Sequence, residues 1–315
     1  MRILLVKTSS LGDVIHNLPA VSDLKRHFPE ARIDWCVEEN FAAIPSLHPG
    51  VSRIIPVAIR RWRKALFKAA TWREIGAAQA ALRATAYDLV IDSQGLLKSA
   101  LLASRVQGIV CGYAADSARE PLAARFYQRR FSISRSQHAV DRNRQLVAAA
   151  VGYSADGLPD YGIAPPPGRP DWLAVSPYIV LLTASSRDDK LWPDEHWLAL
   201  GRQLHARSLR AVLPGGSPAE RARAARLAGA LPDAIAAPPL SLPALATLLG
   251  GANAVVGVDT GLTHLAVALD TPTIALYTAT DPGLTGVFGR GYHRNLGGKG
   301  LLPSVTEVLD ALPAA

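Results

Sequence analysis

The feature that most constrains the fold is a recurring unit of a short apolar run, a small polar turn and a helical segment. Residues 254–269, AVVGVDTGLTHLAVAL, show this unit most clearly. Ala254 to Val258 has the length and β-branched content of a buried strand, and Leu262 to Leu269 is typical of a helix. Such alternation of strands and helices predicts an α/β protein with parallel sheets.

The alternation occurs in two blocks. In the first block, strands are predicted at 3–6, 33–37, 53–57, 89–92 and 109–112, and helices at 13–28, 69–84 and 96–105. In the second block, strands are predicted at 178–183, 210–213, 254–258 and 273–277, and helices at 194–206, 218–230, 242–249, 262–269 and 305–312.

A proline-rich stretch separates the blocks. Residues 154–177 include five prolines between Pro159 and Pro170, and proline continues neither a helix nor a central strand. We therefore predict an N-terminal domain at 1–160, a hinge at 154–177, a C-terminal domain at 175–300 and a final helical segment at 301–315.

Composition limits the class of protein. The 315 residues suffice for two domains, and 49% apolar with 19% charged residues indicates a globular chain. Cys36 and Cys111 are far apart and fit no metal spacing, which suits a reducing compartment. Four apolar residues before Lys7 are too few for a signal peptide, and the uncharged run 234–258 contains prolines that exclude a membrane helix. We expect a cytoplasmic protein.

Positive charge is in excess. The net charge is +8 and the isoelectric point is near 9.7, which implies an acidic partner such as nucleic acid, an anionic membrane or a phosphorylated substrate. The densest positive run is Arg60-Arg61-Trp62-Arg63-Lys64. It is consistent with nucleic-acid binding or with a solvated helix face, and composition does not choose between these readings.

Two turns in the second block suit phosphate. The Asp259-Thr260-Gly261 turn precedes a helix N-terminus, whose free N–H groups and dipole attract anions, with hydroxyls from Thr260 and Thr263; an ordinary capped turn is the alternative. The segment 185–190, SSRDDK, offers hydroxyls and two cations to a diphosphate. Its adjacent aspartates lack the gap of a D-x-D metal motif, so we take Lys190 as the phosphate cation and expect no required metal.

The first strand is followed by KTSSLGD, residues 7–13. With one glycine it is neither a dinucleotide-binding fingerprint nor a P-loop. Its distinctive group is Asp13, a carboxylate at a helix start. Asp13 either compensates the helix dipole or acts in catalysis, and a helix N-terminus would lower its pKa.

Six motifs occur in order along nearly the whole chain: KTSSLGDVIHNLPA, PVAIRRWRK, IDSQGLLKSA, AREPLA, SSRDDKLWPDEHW and VDTGLTHL. In these motifs the chain resembles the lipopolysaccharide heptosyltransferases of glycosyltransferase family 9, especially those of the heptosyltransferase I type. The resemblance implies the GT-B fold, two Rossmann-like α/β domains facing across a cleft. It places the acceptor on the first domain and the nucleotide-sugar on the second, and implies no cofactor.

The resemblance also implies residue roles. Asp13 would be the catalytic base. The donor would be bound by Ser185, Ser186, Lys190, Glu220, Asp259, Thr260, Gly261 and His264, with Glu220 on the ribose hydroxyls or, alternatively, a first-turn dipole residue. The acceptor would be bound by Arg60, Arg61, Arg63, Lys64, Lys98, Arg119, Glu120 and His138.

The implied reaction is an inverting transfer of L-glycero-D-manno-heptose. The donor would be ADP-heptose, and the acceptor the 3-deoxy-octulosonic acid (Kdo) residue of Kdo2-lipid A, in lipopolysaccharide inner-core synthesis at the cytoplasmic face of the inner membrane. One alternative is heptosyltransferase II or a nucleotide-sugar epimerase of the same architecture. An alternative from another class is a basic nucleic-acid-binding protein. We nevertheless expect no nucleic-acid partner. One departure stands out: residues 277–282, YTATDP, lack the glycine-proline that the family usually has before this turn.

Overall fold

The computed structural model describes residues 1–174 and 176–313. The chain divides into two compact units, the first comprising Met1–Gly162 and the second beginning at Ile163. Each unit contains one six-stranded sheet, and the strand pairs within both sheets are parallel. The predicted α/β class is therefore confirmed.

The first unit is built on the strand order β3-β2-β1-β4-β5-β6. Its strands are β1 (Arg2–Val6), β2 (Arg32–Glu38), β3 (Val51–Val57), β4 (Leu89–Asp92), β5 (Ile109–Tyr113) and β6 (Arg129–Phe131). Its helices are α1 (Leu11–Ile15), α2 (Leu18–His27), α3 (Ala43–Ser46), α4 (Ile59–Trp62), α5 (Ala69–Arg83), α6 (Leu97–Ala103) and α7 (Ala139–Val151), with short 3-10 turns at Glu39–Phe41 and Pro121–Phe126.

The second unit has the order β12-β11-β10-β7-β8-β9, which is the same topology read from the other edge. Its strands are β7 (Tyr178–Leu182), β8 (Arg210–Leu213), β9 (Ile235–Ala236), β10 (Ala254–Val258), β11 (Thr273–Tyr277) and β12 (His293–Gly297). Its helices are α8 (Asp194–Ala206), α9 (Pro218–Gly229), α10 (Leu242–Gly250), α11 (Gly261–Ala268), α12 (Pro282–Thr285) and α13 (Val305–Asp310), with a 3-10 turn at Asp188–Lys190.

This topology fixes where each unit can hold a ligand. The strand order reverses between β1 and β4 in the first unit and between β7 and β10 in the second. In open parallel sheets, ligands bind outside the carboxyl ends of the strands at such a switch point. The loops that follow these four strands are therefore the expected positions of ligand-binding and catalytic residues.

Buried aromatic residues anchor both cores. Trp192 and Trp197 are fully buried in the second unit and pack edge to face, with ring centroids 4.9 Å apart. The indole of Trp192 donates to the carbonyl oxygen of Pro303 at 2.9 Å, which ties the C-terminal segment to this core. In the first unit, the buried Trp35 donates to the Lys7 carbonyl oxygen at 3.1 Å and so fixes the end of β1.

The helix predicted at 13–28 is wrong in detail. It is two helices, α1 and α2, separated by His16 and Asn17, and α1 begins two residues earlier at Leu11. Pro19 sits in the first turn of α2 because it has no N–H to donate within a continuous helix. The edge strands β6, β9 and β12 were not predicted, since they are short or polar and lack the apolar signature of a central strand.

The proposed hinge and the C-terminal segment lie partly outside the described residues. Those described within 154–177 form neither helix nor strand, and Val175 is outside the description. Of the segment 301–315, α13 covers Val305–Asp310, and residues 314–315 lie outside the description. No helix in the described chain combines the length and apolar character needed to cross a bilayer.

Candidate active site

Asp259 is the centre of the polar group at the switch point of the second unit. Its Oδ2 accepts hydrogen bonds from Lys190 Nζ and from Thr280 Oγ1, each at 2.7 Å. His264 Nε2, one helical turn away on α11, lies 3.9 Å from Asp259 Oδ1. Loops after β7, β10 and β11 each contribute one member, so parallel strands bring together residues that are far apart in sequence.

The ionisation of Asp259 follows from these neighbours. Burial by itself would raise the pKa of the carboxyl group. The nearby His264 and the hydrogen bonds from Lys190 and Thr280 outweigh burial and hold the pKa of Asp259 well below its usual range. The carboxylate is therefore ionised at neutral pH and pins the Lys190 ammonium at this edge of the sheet.

Helix α11 begins against this group with Thr260 as its extended N-cap residue. The first N–H groups of a helix have no intrahelical acceptor, so those of Gly261 and Leu262 can serve an anion at this end of α11. The prediction that the Thr263 hydroxyl serves a ligand is wrong. Thr263 is buried and its Oγ1 donates to the Val258 carbonyl oxygen at 2.7 Å, which fastens α11 to β10.

The 185–190 loop divides into separate roles. Ser185 Oγ donates to the Asp259 carbonyl oxygen at 2.9 Å, whereas the Ser186 side chain is exposed. Arg187 forms an ion pair with Asp189 on the surface, so its charge is compensated locally. Lys190 is the cation of this loop that reaches Asp259.

Glu220 caps a helix. Its Oε2 accepts from the backbone N–H groups of Gly216 and Ser217, at 2.8 and 2.9 Å, while Ser217 Oγ accepts from Glu220 N at 3.2 Å. This is a reciprocal capping box at the start of α9. The contacts of Glu220 are therefore those of a residue in the first turn of a helix, which was the alternative prediction. Its proposed role in binding the ribose stays a prediction.

In the first unit, Asp13 lies in the loop and helix that follow β1. Its Oδ2 accepts from Ser10 N at 2.8 Å and from Ser10 Oγ at 3.0 Å, and Arg119 Nη1 lies 3.8 Å away. The side chain keeps 28% of its surface exposed, so it is held in place and still reachable. A fixed, accessible carboxylate is what a general base requires.

Charges around Asp13 set its protonation. Burial would raise the pKa of Asp13, but the Lys7 ammonium, the hydrogen bonds from Ser10 and the Arg119 guanidinium together lower it below the ordinary value. Lys7 is buried, and burial lowers its own pKa to about 8 although Asp13 and Asp92 oppose this. Its ammonium donates to Ser93 O at 2.7 Å and to Asn143 Oδ1 at 3.2 Å.

Gln94 fixes the backbone of this loop. Gln94 Oε1 accepts from Thr8 N at 2.7 Å and from Ser9 N at 3.1 Å, and Gln94 Nε2 donates to Ser9 O. The fully buried Asp92 holds Gln94 in turn, accepting from Gln94 N at 2.9 Å and from Tyr127 OH at 2.7 Å.

The motif IDSQGLLKSA contains Asp92 and Gln94, but the sequence analysis did not predict a functional role for either residue. Polar residues at the end of an otherwise apolar strand were the available signal.

Two of the residues predicted to bind the acceptor join Asp13. Lys98 Nζ donates to Ser9 Oγ at 3.2 Å, and Arg119 faces the Asp13 carboxylate. Glu120 instead supports α6, since its Oε2 accepts from Leu97 N at 2.7 Å. His138 is the N-cap of α7, where its Nδ1 accepts from Val140 N at 3.2 Å.

The run 60–64 does not form one uniform basic surface. Arg61 pairs with Glu39 and Glu74, at 3.0 and 2.8 Å. Arg60 N donates to Glu38 Oε1 at 2.9 Å, and its guanidinium lies 5.3 Å from the centre of the Phe41 ring. Arg63 and Lys64 are exposed. The charge open to a ligand is therefore concentrated at the end of the run.

Comparison with known proteins identifies the family. Residues 75–307 match the model of glycosyltransferase family 9 (heptosyltransferase). The chain belongs to this family. It is 49% identical to lipopolysaccharide heptosyltransferase 1 of Escherichia coli K12 over 297 residues, which cover 92% of each protein. It is also 49% identical to the Pseudomonas aeruginosa protein of that name over 301 residues, covering 92% of this chain and 82% of the relative.

Solved structures of this family confirm the GT-B fold. E. coli heptosyltransferase WaaC with ADP superposes with a TM-score of 0.90 at 45% identity, covering 98% of both chains. The same enzyme with ADP-2-deoxy-2-fluoro heptose gives a TM-score of 0.86 at 44% identity, again over 98% of both chains. The family 9 protein described here is thus a glycosyltransferase of the heptosyltransferase type, as its motifs predicted.

The residues predicted to depart from the family pattern, Thr278 and Ala279, directly precede Thr280. The Thr280 hydroxyl completes the hydrogen bonds to Asp259, and Thr278 Oγ1 donates to Asp189 O at 2.7 Å. Asp281 then caps α12 by accepting from Gly283 N at 2.8 Å. The stretch without glycine-proline is therefore tied to Asp189 and Asp259 through its threonine hydroxyls.

Within the described residues, no three His, Cys, Asp or Glu side chains converge as a metal site would require. The expectation that the chemistry needs no metal stays a prediction.

Proposed function

We propose that this family 9 enzyme transfers L-glycero-D-manno-heptose from ADP-heptose to the Kdo residue of Kdo2-lipid A, a step of lipopolysaccharide inner-core synthesis. The observation that carries the proposal is the group around Asp259, where an ionised carboxylate pins Lys190 beside the N-terminus of α11. A cation and free helix N–H groups at a switch point suit the diphosphate of a nucleotide-sugar.

On the donor side, the reaction releases ADP, whose diphosphate gains negative charge as the glycosidic bond breaks. Lys190 and the first N–H groups of α11 are already oriented, so they stabilise this charge without reorganisation. Asp259 acts on the diphosphate through Lys190, as a positioning residue. We propose that Ser185, Ser186, Thr260, Gly261 and His264 line the same site, with Glu220 near the ribose.

On the acceptor side, Asp13 removes the proton of the attacking hydroxyl. Its lowered pKa keeps it ionised and makes it a weak base, so proton transfer follows bond formation to the anomeric carbon, when the hydroxyl has become acidic. Arg119 and Lys98 lie close enough to this loop to bind the carboxylates and phosphates of the acceptor. The single displacement inverts the anomeric centre, and no covalent glycosyl-enzyme forms.

The heptosyltransferase I type is favoured over its relatives by the extent of similarity. Identity is 49% to heptosyltransferase 1 of E. coli K12 and 24% to heptosyltransferase 3 of the same strain. E. coli heptosyltransferase II matches at 22% identity and TM-score 0.74, and a UDP-N-acetylglucosamine 2-epimerase at 14% and 0.51, so these two likenesses concern the fold alone. We propose, further, that the enzyme works peripherally at the cytoplasmic membrane face, where a lipid acceptor would be found.

The test is ADP release from ADP-heptose with and without fully deacylated Kdo2-lipid A, for the wild type, Asp13→Ala and Asp13→Asn. We expect acceptor-dependent release that falls about 10²–10⁴-fold in both variants, the range for loss of a general base. Turnover of ADP-heptose without acceptor would favour the epimerase. Undiminished ADP release by Asp13→Asn would support the transferase function but exclude Asp13 as its base. Tight, salt-dependent binding of random DNA would favour the nucleic-acid alternative.

A further inference from the structure

The first unit exposes an apolar segment between α4 and α5. The Phe67 side chain is fully exposed, with a relative accessibility of 105%, and Trp72 and Leu66 keep 59% and 45%. The Trp72 indole donates to the Leu66 carbonyl oxygen at 2.7 Å, which holds the segment at the start of α5. Apolar side chains clustered in water, unlike ones scattered singly, mark an interaction surface.

This segment continues into an open groove on the same unit. Leu66 lines a groove of about 430 Å³ together with Leu101 and Leu102, over a floor that includes Trp62 and Leu82. Leu101 is itself 43% exposed. The segment 66–72 and this apolar groove therefore form one surface, which we call the docking surface.

Uncompensated cations surround the docking surface. Lys64 and Lys68 are exposed beside Phe67, and Lys98 and Arg105 line the groove. In the described part of the chain, none of these four forms a salt bridge, unlike the nearby Arg61 with its two glutamates. Lysine and arginine lay their apolar stems along such a surface while their charged ends stay in water.

We propose that the docking surface binds an anionic lipid bilayer. Exposed Phe, Trp and Leu flanked by lysines are the combination that inserts at the interface of such membranes, where tryptophan is favoured and each cation adds attraction. The inference rests on the proposed function, in which the acceptor is itself a lipid.

The surface also leads to the proposed acceptor site. Lys98 lines the groove and donates to Ser9 Oγ, in the loop that holds Asp13. Docking therefore brings lipid headgroups to the side of the first unit that carries the base. A second copy of the chain or a protein partner would have to compensate the positive charge as well as cover the apolar groups, and an anionic bilayer does both.

Co-sedimentation with vesicles tests the proposal. We expect the wild type to bind vesicles of phosphatidylglycerol and phosphatidylethanolamine, and to bind weakly when phosphatidylcholine replaces the anionic lipid or when salt is raised. Phe67→Ser should lower the partition coefficient about 10–100-fold, because a phenyl side chain no longer leaves water. Lys68→Ala should lower it about fivefold. Phe67 is fully exposed, so its replacement should leave folding intact.

Leu158→Ser is the matched control. Leu158 is another exposed leucine of the first unit, at 55%, but it lies between Asp156 and Asp160 rather than between lysines. Its replacement should leave vesicle binding unchanged. Equal loss in Phe67→Ser and Leu158→Ser, or binding indifferent to both Phe67 and lipid charge, would overturn the proposal.

Activity separates this inference from the proposed function. Phe67→Ser should release ADP at the wild-type rate with the deacylated acceptor in solution, and show a raised KM with the acceptor embedded in vesicles. If Phe67→Ser instead converts an oligomer to a monomer in light scattering and still binds vesicles, the surface is a protein interface and the proposal falls. If vesicle binding depends on Phe67 while neither acceptor supports ADP release, the docking surface stands and the proposed function fails.

Discussion

Single side chains hold the two proposed half-sites in place before any ligand arrives. Gln94 does this for the loop of Asp13, by bonding the backbone of Thr8 and Ser9 through both ends of its amide. Lys190 is held by Asp259 in the second unit. Gln94 and Lys190 each bond to a residue of another loop. Substituting either one therefore tests how the proposed sites are positioned, without removing the proposed base Asp13.

Gln94→Glu tests the positioning of Asp13. The carboxylate cannot donate to Ser9 O, so the loop loses one bond and gains a repulsive contact. We expect kcat to fall about 10–100-fold, the size of effect that misplacement of a catalytic group by about 1 Å produces, with the KM for ADP-heptose unchanged. Steady-state kinetics check this. Gln107→Glu, at an exposed position of the same unit, serves as control, and a similar loss there would point to a general charge effect.

Lys190→Ala tests the proposed diphosphate site. Loss of a charge-assisted hydrogen bond, at roughly 1.5–3 kcal/mol, should weaken ADP binding about 10–150-fold in calorimetry. The same change leaves the ionised, largely buried Asp259 without its cation, so Tm should fall as well. Asp259→Asn should weaken ADP less than Lys190→Ala, because the lysine remains. Lys299→Ala, an exposed lysine of the second unit, should change neither quantity; unaltered ADP affinity in Lys190→Ala would contradict the assignment.

Lys7 predicts a pH dependence of stability. Burial lowers its pKa from 10.5 to about 8 in the folded protein, so between these values the unfolded chain binds more protons, and rising pH favours folding. From pH 7 to 9, this gain should amount to about 1 kcal/mol in the free energy of unfolding. It should be absent in Lys7→Met, when urea unfolding of both proteins is compared at the two pH values. A gain of the same size in Lys7→Met would show that another group is responsible.

At the scale of the element, helix α11 depends on close contact with its own strand. Gly257 of β10 leaves room for Thr263, whose hydroxyl bonds the Val258 carbonyl oxygen. A Cβ at position 257 would collide with Thr263 Oγ1 and lie 3.0 Å from Leu182 Cβ. Helix α11 can pack this closely against β10 only because the strand carries no side chain at this point.

Gly257→Ala should therefore destabilise the protein by about 1–3 kcal/mol, as overpacking does, and raise the KM for ADP-heptose by displacing α11. Urea unfolding and kinetics measure the two effects. Gly76→Ala is the matched control: it lies in α5, a Cβ there meets nothing within 4 Å, and it should stabilise by roughly 0.5–1 kcal/mol. Equal stability of the two variants would show that the contact at Gly257 is loose.

Sequence pattern was a good guide to elements and a poorer one to their ends. β4, β10, β11 and α8 have the predicted bounds, because the three strands are continuous, buried and mostly apolar runs and α8 follows directly after Pro193. The helix predicted at 13–28 failed because a local break at His16 and Asn17 leaves the apolar period intact. Strand β12, HRNLG, pairs on one side only and needs no apolar run, so its pattern gives little signal.

At the scale of the whole molecule, two units of the same topology carry different side chains at their switch points. The first presents Asp13 with Arg119 and Lys98, and the second presents Lys190 with Asp259. This difference predicts that the first unit binds the acceptor and the second unit binds the donor.

Amide hydrogen exchange of the enzyme, measured with and without ADP, tests which unit binds the donor. ADP should slow exchange in 185–191 and 254–268 and leave 89–103 unchanged, since backbone N–H groups that bind phosphate are shielded from solvent. Mass spectrometry of peptides from the intact enzyme measures this, with Lys190→Ala expected to lose most of the protection. Protection confined to the first unit would reverse the assignment of donor and acceptor.

The sequence by itself determined the α/β class, most of the central strands and the family, because apolar periodicity and the six ordered motifs are local properties of the chain. It also pointed to Asp13, Lys190 and Asp259 through their places after strands. Tertiary structure decided which partner each of them has. Lys190 and Asp259 are distant in sequence and meet because β7 and β10 are neighbours in the sheet, and Thr263 turns to its own strand because burial demands a partner for its hydroxyl.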